Sequence, residues 1–584
     1  MRDVGTITGK NFSLGRKQLS ESFYDRSLPS WQQLSLKQQV AQLLVVRTSG
    51  HLFDYEIRYP QWEAPTAKLR HWIEDLGVGG VILLGGSTSE LAVRIEQMQS
   101  WAQVPLLIAA DIEQGVGQRF SGATWMPPAM ALGAIAQSNL PQACDYARAM
   151  GAITAEEAQA VGLNWLLAPV VDVNNNPENP VISLRAFGET PEIVIPLIEA
   201  FIKGTQDYSV LTTAKHFPGH GDTATDPHLD LPLIPHPRER LDQVELAPFR
   251  AAIAAGVSSV MTAHLEVPAL DPNYPATLSS LVLTQLLRQE MGFDGLIVTD
   301  ALVMQAITRH YGAYDAPIMA LEAGADVILM PVDPPGTIEA ICEAVQTGRL
   351  SRERIHASLE RIWKAKQQVF RSTQKSEEKL ALNESSRPWF ESVAQPQAAE
   401  FCRTVLEQSL IVHASAPGGL HQPLQRSDST SHTTVKGTNL IIVDNLLQAN
   451  FLGIHTPAIR IPQGWGYRWQ WVDSQTPVIE CIKELQPTLL QLFIQANPFQ
   501  NTKDSIDIAR RHLESLRSAG QLQALILYGS PYVWKQLVPL LPAEIPAVFS
   551  YGQIPMAQAI ALEKLLALGL AIQGTEYIDQ RFTT

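Results

Sequence analysis

Leu211-Thr212-Thr213-Ala214-Lys215-His216-Phe217-Pro218-Gly219-His220-Gly221-Asp222-Thr223-Ala224-Thr225-Asp226-Pro227-His228 joins a short apolar run to a segment crowded with titratable side chains. The run Leu211–Ala214 reads as a strand. The fourteen residues from Lys215 to His228 hold one Lys, three His and two Asp, interleaved with two Gly and two Pro. Gly and Pro interrupt both helix and buried strand, so the backbone there is expected to be a loop. A strand that delivers Lys215 and His216 at its end, followed by a loop dense in acids and bases, is how a rigid scaffold carries chemistry. Pro227 keeps Asp226 extended, and in an extended chain residues two apart share a side. Asp226 is then placed to approach the His228 ring, fix its tautomer and favour its charged form. That yields a proton donor and acceptor near neutral pH.

The same alternation recurs on both sides of this stretch. Near-continuous apolar runs at Ala41–Val46, Gly80–Leu84, Pro105–Ala110, Asn164–Val173, Leu211–Ala214, Ser258–Ala263, Gly295–Thr299 and Asp326–Met330 are separated by amphipathic, helix-period segments. Strands apolar on both faces with helices between them predict a parallel sheet covered on each side. Eight is the number that closes a (β/α)8 TIM-type barrel, with a doubly wound open sheet as the alternative. Polar residues gather where five of these strands end: Asp111 and Glu113 with Arg119 nearby, Asp172 leading on to Arg185, Lys215 and His216, His264 and Glu266, and Asp300. In a barrel, that rim carries the chemistry.

At 584 residues the chain is too long for one core. Residues 1–30 read as a polar tail, 31–370 as the barrel, 371–395 as a charged linker and 396–584 as a smaller α/β/α sandwich domain with a second alternation of strands and helices. Net charge is −14, from 44 Lys and Arg against 58 Asp and Glu, which argues against nucleic acid and anionic membranes as partners. No apolar run approaches membrane-spanning length and no basic-then-apolar start is present, so a cytoplasmic location is expected. Cys144, Cys342, Cys402 and Cys481 lack metal or redox spacing and read as reduced thiols.

Gly295-Leu296-Ile297-Val298-Thr299-Asp300 places a carboxylate at a strand end. Such a group can pair with a cation, or attack an anomeric carbon to form a glycosyl-enzyme that water then hydrolyses. Asp111, Arg185, Lys215 and His216 have the donor and acceptor types that hold sugar hydroxyls. The ligand itself is not legible from these side chains alone.

Five segments carry a resemblance: Gly79–Leu84, Asp111-Ile112-Glu113-Gln114-Gly115, Ala168–Val173, Lys215–His228 and Gly295–Met304. On them, roughly residues 35–370 resemble the glycoside hydrolase family 3 enzymes, specifically the β-N-acetylhexosaminidase branch, with the remainder as an accessory domain. The resemblance implies Asp300 as nucleophile, His228 as general acid/base with Asp226 as its partner, and Asp111, Arg119, Arg185, Lys215 and His216 as substrate-binding residues. It implies no cofactor, and retaining hydrolysis of terminal β-linked N-acetylglucosamine in sugars from cell-wall turnover. Gln114 stands where the family usually has the first of two glycines, Gly117 replaces a customary valine, and Ala301 a second Asp.

Two other readings compete. His216, His220, Asp222, Asp226 and His228 are residue types that hold a hydrolytic metal ion, although Lys215 among them repels a cation and no standard ligand spacing is present. A β-glucosidase of the same superfamily would take its proton from a Glu of the C-terminal domain.

Overall fold

The computed structural model describes residues 28–60, 62–223, 231–380, 388–413, 437–473, 486–495 and 502–571. Asp226, His228, Cys481 and nearly all of the expected N-terminal tail lie outside the described residues. The first eight strands are β1 Leu44–Ser49, β2 Gly80–Leu84, β3 Leu107–Ala110, β4 Trp165–Leu166, β5 Thr213–Phe217, β6 Ser259–Thr262, β7 Leu296–Val298 and β8 Ile328–Leu329. Parallel pairing runs β4-β3-β2-β1-β8 in one arc and β5-β6-β7 in another. Parallel bridges from Trp165 to Leu211 and from Val298 to Val327 join the arcs, so the ring is closed. Every strand is followed by helix, and the result is a (β/α)8 barrel.

Side chains fill the barrel. Trp165 is fully buried, and its indole N–H donates to Thr213 Oγ1 at 2.9 Å and Ser259 Oγ at 3.0 Å, so this polar layer of β4, β5 and β6 is satisfied. β5 runs three residues past the apolar stretch that announced it, into Lys215, His216 and Phe217. β4 is much shorter than its apolar run, because Pro169 has no N–H to give the ladder. Contact resumes beyond it, where Val171 N–H donates to Lys215 O at 2.9 Å.

A second sheet follows: β9 Ile411–His413, β10 Gly437–Val443, β11 Tyr467–Val472, β12 Thr488–Ile494, β13 Leu522–Gly529 and β14 Ala547–Ser550. Its order is β11-β10-β12-β13-β14-β9, parallel except for β9. Alternate residues enter two separate cores. Leu440, Ile442, Leu490, Leu492, Leu525 and Leu527 lie in one, and Ile441, Val443, Leu489, Phe493, Ile526 and Tyr528 in the other. A sheet buried on both faces between helices is an α/β/α sandwich. Helix Arg352–Leu380 leaves the barrel and continues through the first ten residues of the charged stretch expected as linker. Cys144, Cys342 and Cys402 are free thiols. Among the described residues, no helix is long and apolar enough to cross a membrane.

At the amino-terminal face of the barrel, the wholly buried Asp326 is the hub that ties β7, β8 and two helices together. Its Oδ2 accepts from Arg288 Nη2 at 2.6 Å and Ile297 N at 3.1 Å, and its Oδ1 from Arg354 Nη2 at 3.1 Å, Ser358 Oγ at 2.9 Å and Arg361 Nη1 at 3.1 Å. Burial lowers the Arg288 guanidinium to about 10 although Asp326 opposes the change. Breaking a buried charge cluster by removing one partner costs about 3–5 kcal/mol. Asp326→Asn is therefore expected to lower the unfolding free energy by about 3 kcal/mol or more in urea titrations, and a loss below about 1 kcal/mol would contradict this placement of the hub.

Candidate active site

The carboxyl ends of β3, β4 and β5 converge on one network of buried charge. Lys215 is 1% exposed, and its ammonium sits 2.8 Å from Asp111 Oδ1 and 2.7 Å from Glu113 Oε1. Burial alone would strip the charge from Lys215, but Asp111 and Glu113 outweigh it and its pKa is raised. Arg185 meets Glu113 with two bonds, Nε to Oε2 at 2.9 Å and Nη2 to Oε1 at 2.8 Å. Burial opposes ionisation of Glu113, yet Arg185 and Lys215 hold its carboxyl well below the usual range. The Asp111 side chain is 27% exposed, against 8% for Glu113.

His216 is held between this network and a second carboxylate. Its Nδ1 lies 2.8 Å from Asp172 Oδ2 and its Nε2 lies 3.2 Å from Arg185 Nη2. A guanidinium only donates, so Nε2 is the acceptor and the ring proton sits on Nδ1, directed at Asp172. Asp172 also accepts the backbone N–H groups of His216 and His220, the latter at 2.7 Å. Burial resists the charge on Asp172, but these bonds and the neighbouring imidazoles prevail and its pKa is lowered.

The opening of the loop after β5 is pinned to the segment after β4. The Lys215–His216 and Phe217–Pro218 peptides are cis. Asn179 Nδ2 donates to His220 O at 2.8 Å and Gly221 O at 2.9 Å. A Cβ on Gly221 would lie 1.7 Å from Val173 O, so only glycine permits this approach. The described residues of this loop stop at Thr223, before Asp226 and His228.

Asp300 follows β7 on the same rim. It is half-buried, its N–H donates to Thr262 O at 3.2 Å, and its Oδ1 accepts the Ala301 N–H at 2.7 Å. His264 braces the neighbouring turn, with Nε2 3.3 Å from Ala301 O. Arg119 is exposed and donates from Nε to Asp111 O at 3.1 Å, which leaves the tip of its guanidinium at the rim. Gln114 accepts the Trp125 indole N–H at 3.2 Å, tying together the loop that contains Gly115 and Gly117.

Of the substrate-binding residues expected from sequence, Asp111, Arg185, Lys215 and His216 form one connected set, while Arg119 touches it through the backbone of Asp111. Glu113 and Asp172 hold that set together, and sequence reasoning gave neither a role. The signal was present: two cations bound for buried strand ends require anions beside them. Of the residues proposed as metal ligands, His216, His220 and Asp222 have other partners among the described residues. His220 Nδ1 lies 2.9 Å from Thr223 Oγ1 and Asp222 Oδ2 lies 2.7 Å from His236 Nε2. Among the described residues, Asp222 groups with His236 and Glu245, and Arg240 already holds Glu245 at 2.8 Å.

A closed parallel barrel with oriented charges and imidazoles at its carboxyl rim defines a barrel protein built to hold a small polar ligand there. Comparison with known proteins narrows this. Residues 35–365 match the Glycosyl hydrolase family 3 N terminal domain, and residues 430–567 the Bacterial Glycosyl hydrolase family 3 C-terminal domain. The chain belongs to glycosyl hydrolase family 3. It is 36% identical over 338 residues to Beta-hexosaminidase A of Pseudoalteromonas piscicida, across 52% of this chain and 56% of that protein. It is 38% identical over 291 residues to a Beta-hexosaminidase of Nitrosomonas eutropha, across 47% and 82%. A glycoside hydrolase family 3 beta-N-acetylglucosaminidase from Paenibacillus sp. str. FPU-7 superposes with a TM-score of 0.72 at 30% identity, covering 92% of this chain and 97% of that one.

Burial lowers the His220 imidazole to about 4, with the Asp172 charge opposing and His216 assisting. The unfolded imidazole titrates near 6.5. Unfolding therefore takes up a proton between these values, and stability is lost as pH falls through that window, by roughly 3 kcal/mol from this group. Urea titrations at pH 7 and pH 4.5 are expected to show a smaller loss for His220→Asn than for the wild type. Equal losses would contradict the assignment.

Proposed function

We propose that the protein is a retaining β-N-acetylhexosaminidase that hydrolyses terminal β-linked N-acetylglucosamine, with residues 31–370 as the catalytic unit. The observation that carries the reading is the strand-end carboxylate of Asp300 on the same rim as the Lys215–Glu113–Arg185–His216 network, in a chain whose family relatives bear hexosaminidase names. Asp111, Arg119, Arg185, Lys215 and His216 hold the sugar hydroxyls and the acetamido group. Their mutual bonds fix them before substrate arrives, which lowers the cost of ordering.

In the first step the Asp300 carboxylate attacks the anomeric carbon. The bond to the leaving oxygen breaks, and that oxygen takes a proton from the His228 imidazolium. In the second step neutral His228 takes a proton from water, the water oxygen attacks the anomeric carbon, and Asp300 departs as a carboxylate. Two inversions return the β configuration. Asp226 orients the His228 ring and stabilises the imidazolium that donates in the first step and re-forms in the second. The reaction uses no cofactor. A place in cell-wall sugar turnover and a cytoplasmic location complete the reading, supported by the resemblance of the barrel segments and by the ordinary composition of the chain.

Initial rates on an aryl β-N-acetylglucosaminide are expected to exceed those on the matching β-glucoside by about tenfold or more, with no change on adding EDTA. Asp300→Asn is expected to lose about 10³-fold or more in kcat. A preference for the glucoside would move the reading to a β-glucosidase, and loss of activity with EDTA would overturn the metal-free mechanism.

A further inference from the structure

Arg185 lies in a segment hydrogen-bonded to a residue of the second domain. It ends a single helical turn, Ser183–Arg185, whose first residue has φ +40°, a left-handed conformation that a serine adopts only when its surroundings enforce it. The enforcing group is Asn174, which is 1% exposed and whose Oδ1 accepts the Ser183 N–H at 2.9 Å. An amide side chain does this only while its oxygen faces Ser183, and that orientation is set by what its nitrogen binds. Among the described residues, Asn174 Nδ2 donates to Tyr532 Oη at 2.6 Å and, over a longer distance, to Asn176 O at 3.4 Å. Tyr532 is buried on helix Pro531–Leu537, between β13 and β14 of the sandwich. Burial and the nearby Glu189 carboxylate raise the pKa of this hydroxyl, and that carboxylate lies 3.7 Å from Lys535 of the same helix. Asn174 N donates to Gly188 O at 3.0 Å. The tyrosine hydroxyl therefore bonds the residue that both opens the segment presenting Arg185 and ties it to the segment's far end at Gly188.

We propose that Tyr532 is a positioning residue for Arg185, through which the C-terminal domain sets how tightly the barrel holds its sugar. The inference rests on the reading of Arg185 as a substrate-binding residue. Tyr532→Phe keeps the ring and its packing, and takes from Asn174 Nδ2 its short bond.

The test uses the full-length chain. Tyr532→Phe is expected to raise KM for an aryl β-N-acetylglucosaminide about five- to tenfold, the loss associated with one buried hydrogen bond, with kcat changed less than KM. In the Arg185→Lys background the same change is expected to add little, because the two act in series. An unchanged KM, or effects that multiply fully with Arg185→Lys, would overturn the proposal. If the wild type cleaves no hexosaminide, the functional reading fails on its own, and hydrogen exchange decides the positioning. Faster exchange of the Ser183 and Arg185 amides in Tyr532→Phe then supports the proposal, and unchanged exchange overturns it.

Discussion

The buried ammonium of Lys215, shared between Asp111 and Glu113, is the interaction on which the rest of the rim depends. An unpaired ion at that depth costs several kcal/mol, so Lys215 cannot stand there without both carboxylates. Glu113 in turn carries two bonds from Arg185, and Arg185 fixes the ring of His216 against Asp172. No member can move without stranding another. Such a network contributes little net stability over an apolar replacement, so its value lies in geometry. The ends of β3, β4 and β5 are locked in one arrangement, and the groups that meet a substrate are already oriented.

The second domain enters the same economy of contacts from outside. Asn174 reaches Tyr532 and Gln408 reaches Tyr146 at 2.9 Å, and just before the domain the Ala394 N–H of the linker reaches Glu157 at 2.8 Å. These contacts fall on the loops and helices after β3 and β4, the part of the barrel that supplies Asp111, Glu113 and Arg185. Burial raises the Glu157 carboxyl despite its bonds from Thr124 and Ala394. The sandwich thus braces the side of the barrel that carries the charge network.

Much of this was legible in the chain because period and burial agree. The eight apolar runs became the eight barrel strands, and the polar residues at their ends lie at one rim. Boundaries moved where local chemistry overrode hydrophobicity. The run Ala41–Val46 gives up its first residue to helix Leu36–Ala41, which Ser35 and Gln38 cap reciprocally, and β1 starts only at Leu44. β5 continues into Lys215 because the lysine's charge is cancelled by residues more than a hundred positions away. β11, Tyr467-Arg468-Trp469-Gln470-Trp471-Val472, is hard to read from the chain, since an edge strand with exposed Arg468 and Trp469 lacks the continuous apolar signature of its neighbours. Glu113 and Asp172 were visible as strand-end acids, but their pairing with Arg185 and His216 is long-range and only the fold supplies it.

In the proposed mechanism Asp300 becomes covalently attached to the sugar. Incubation with an activated 5-fluoro N-acetylglucosaminyl fluoride, which slows release of a glycosyl-enzyme, followed by intact-mass and peptide mapping, tests it directly. One fluorosugar per chain, located on Asp300, is the predicted result. Turnover of the reagent with no adduct at any time, or an adduct on another residue, would contradict the account.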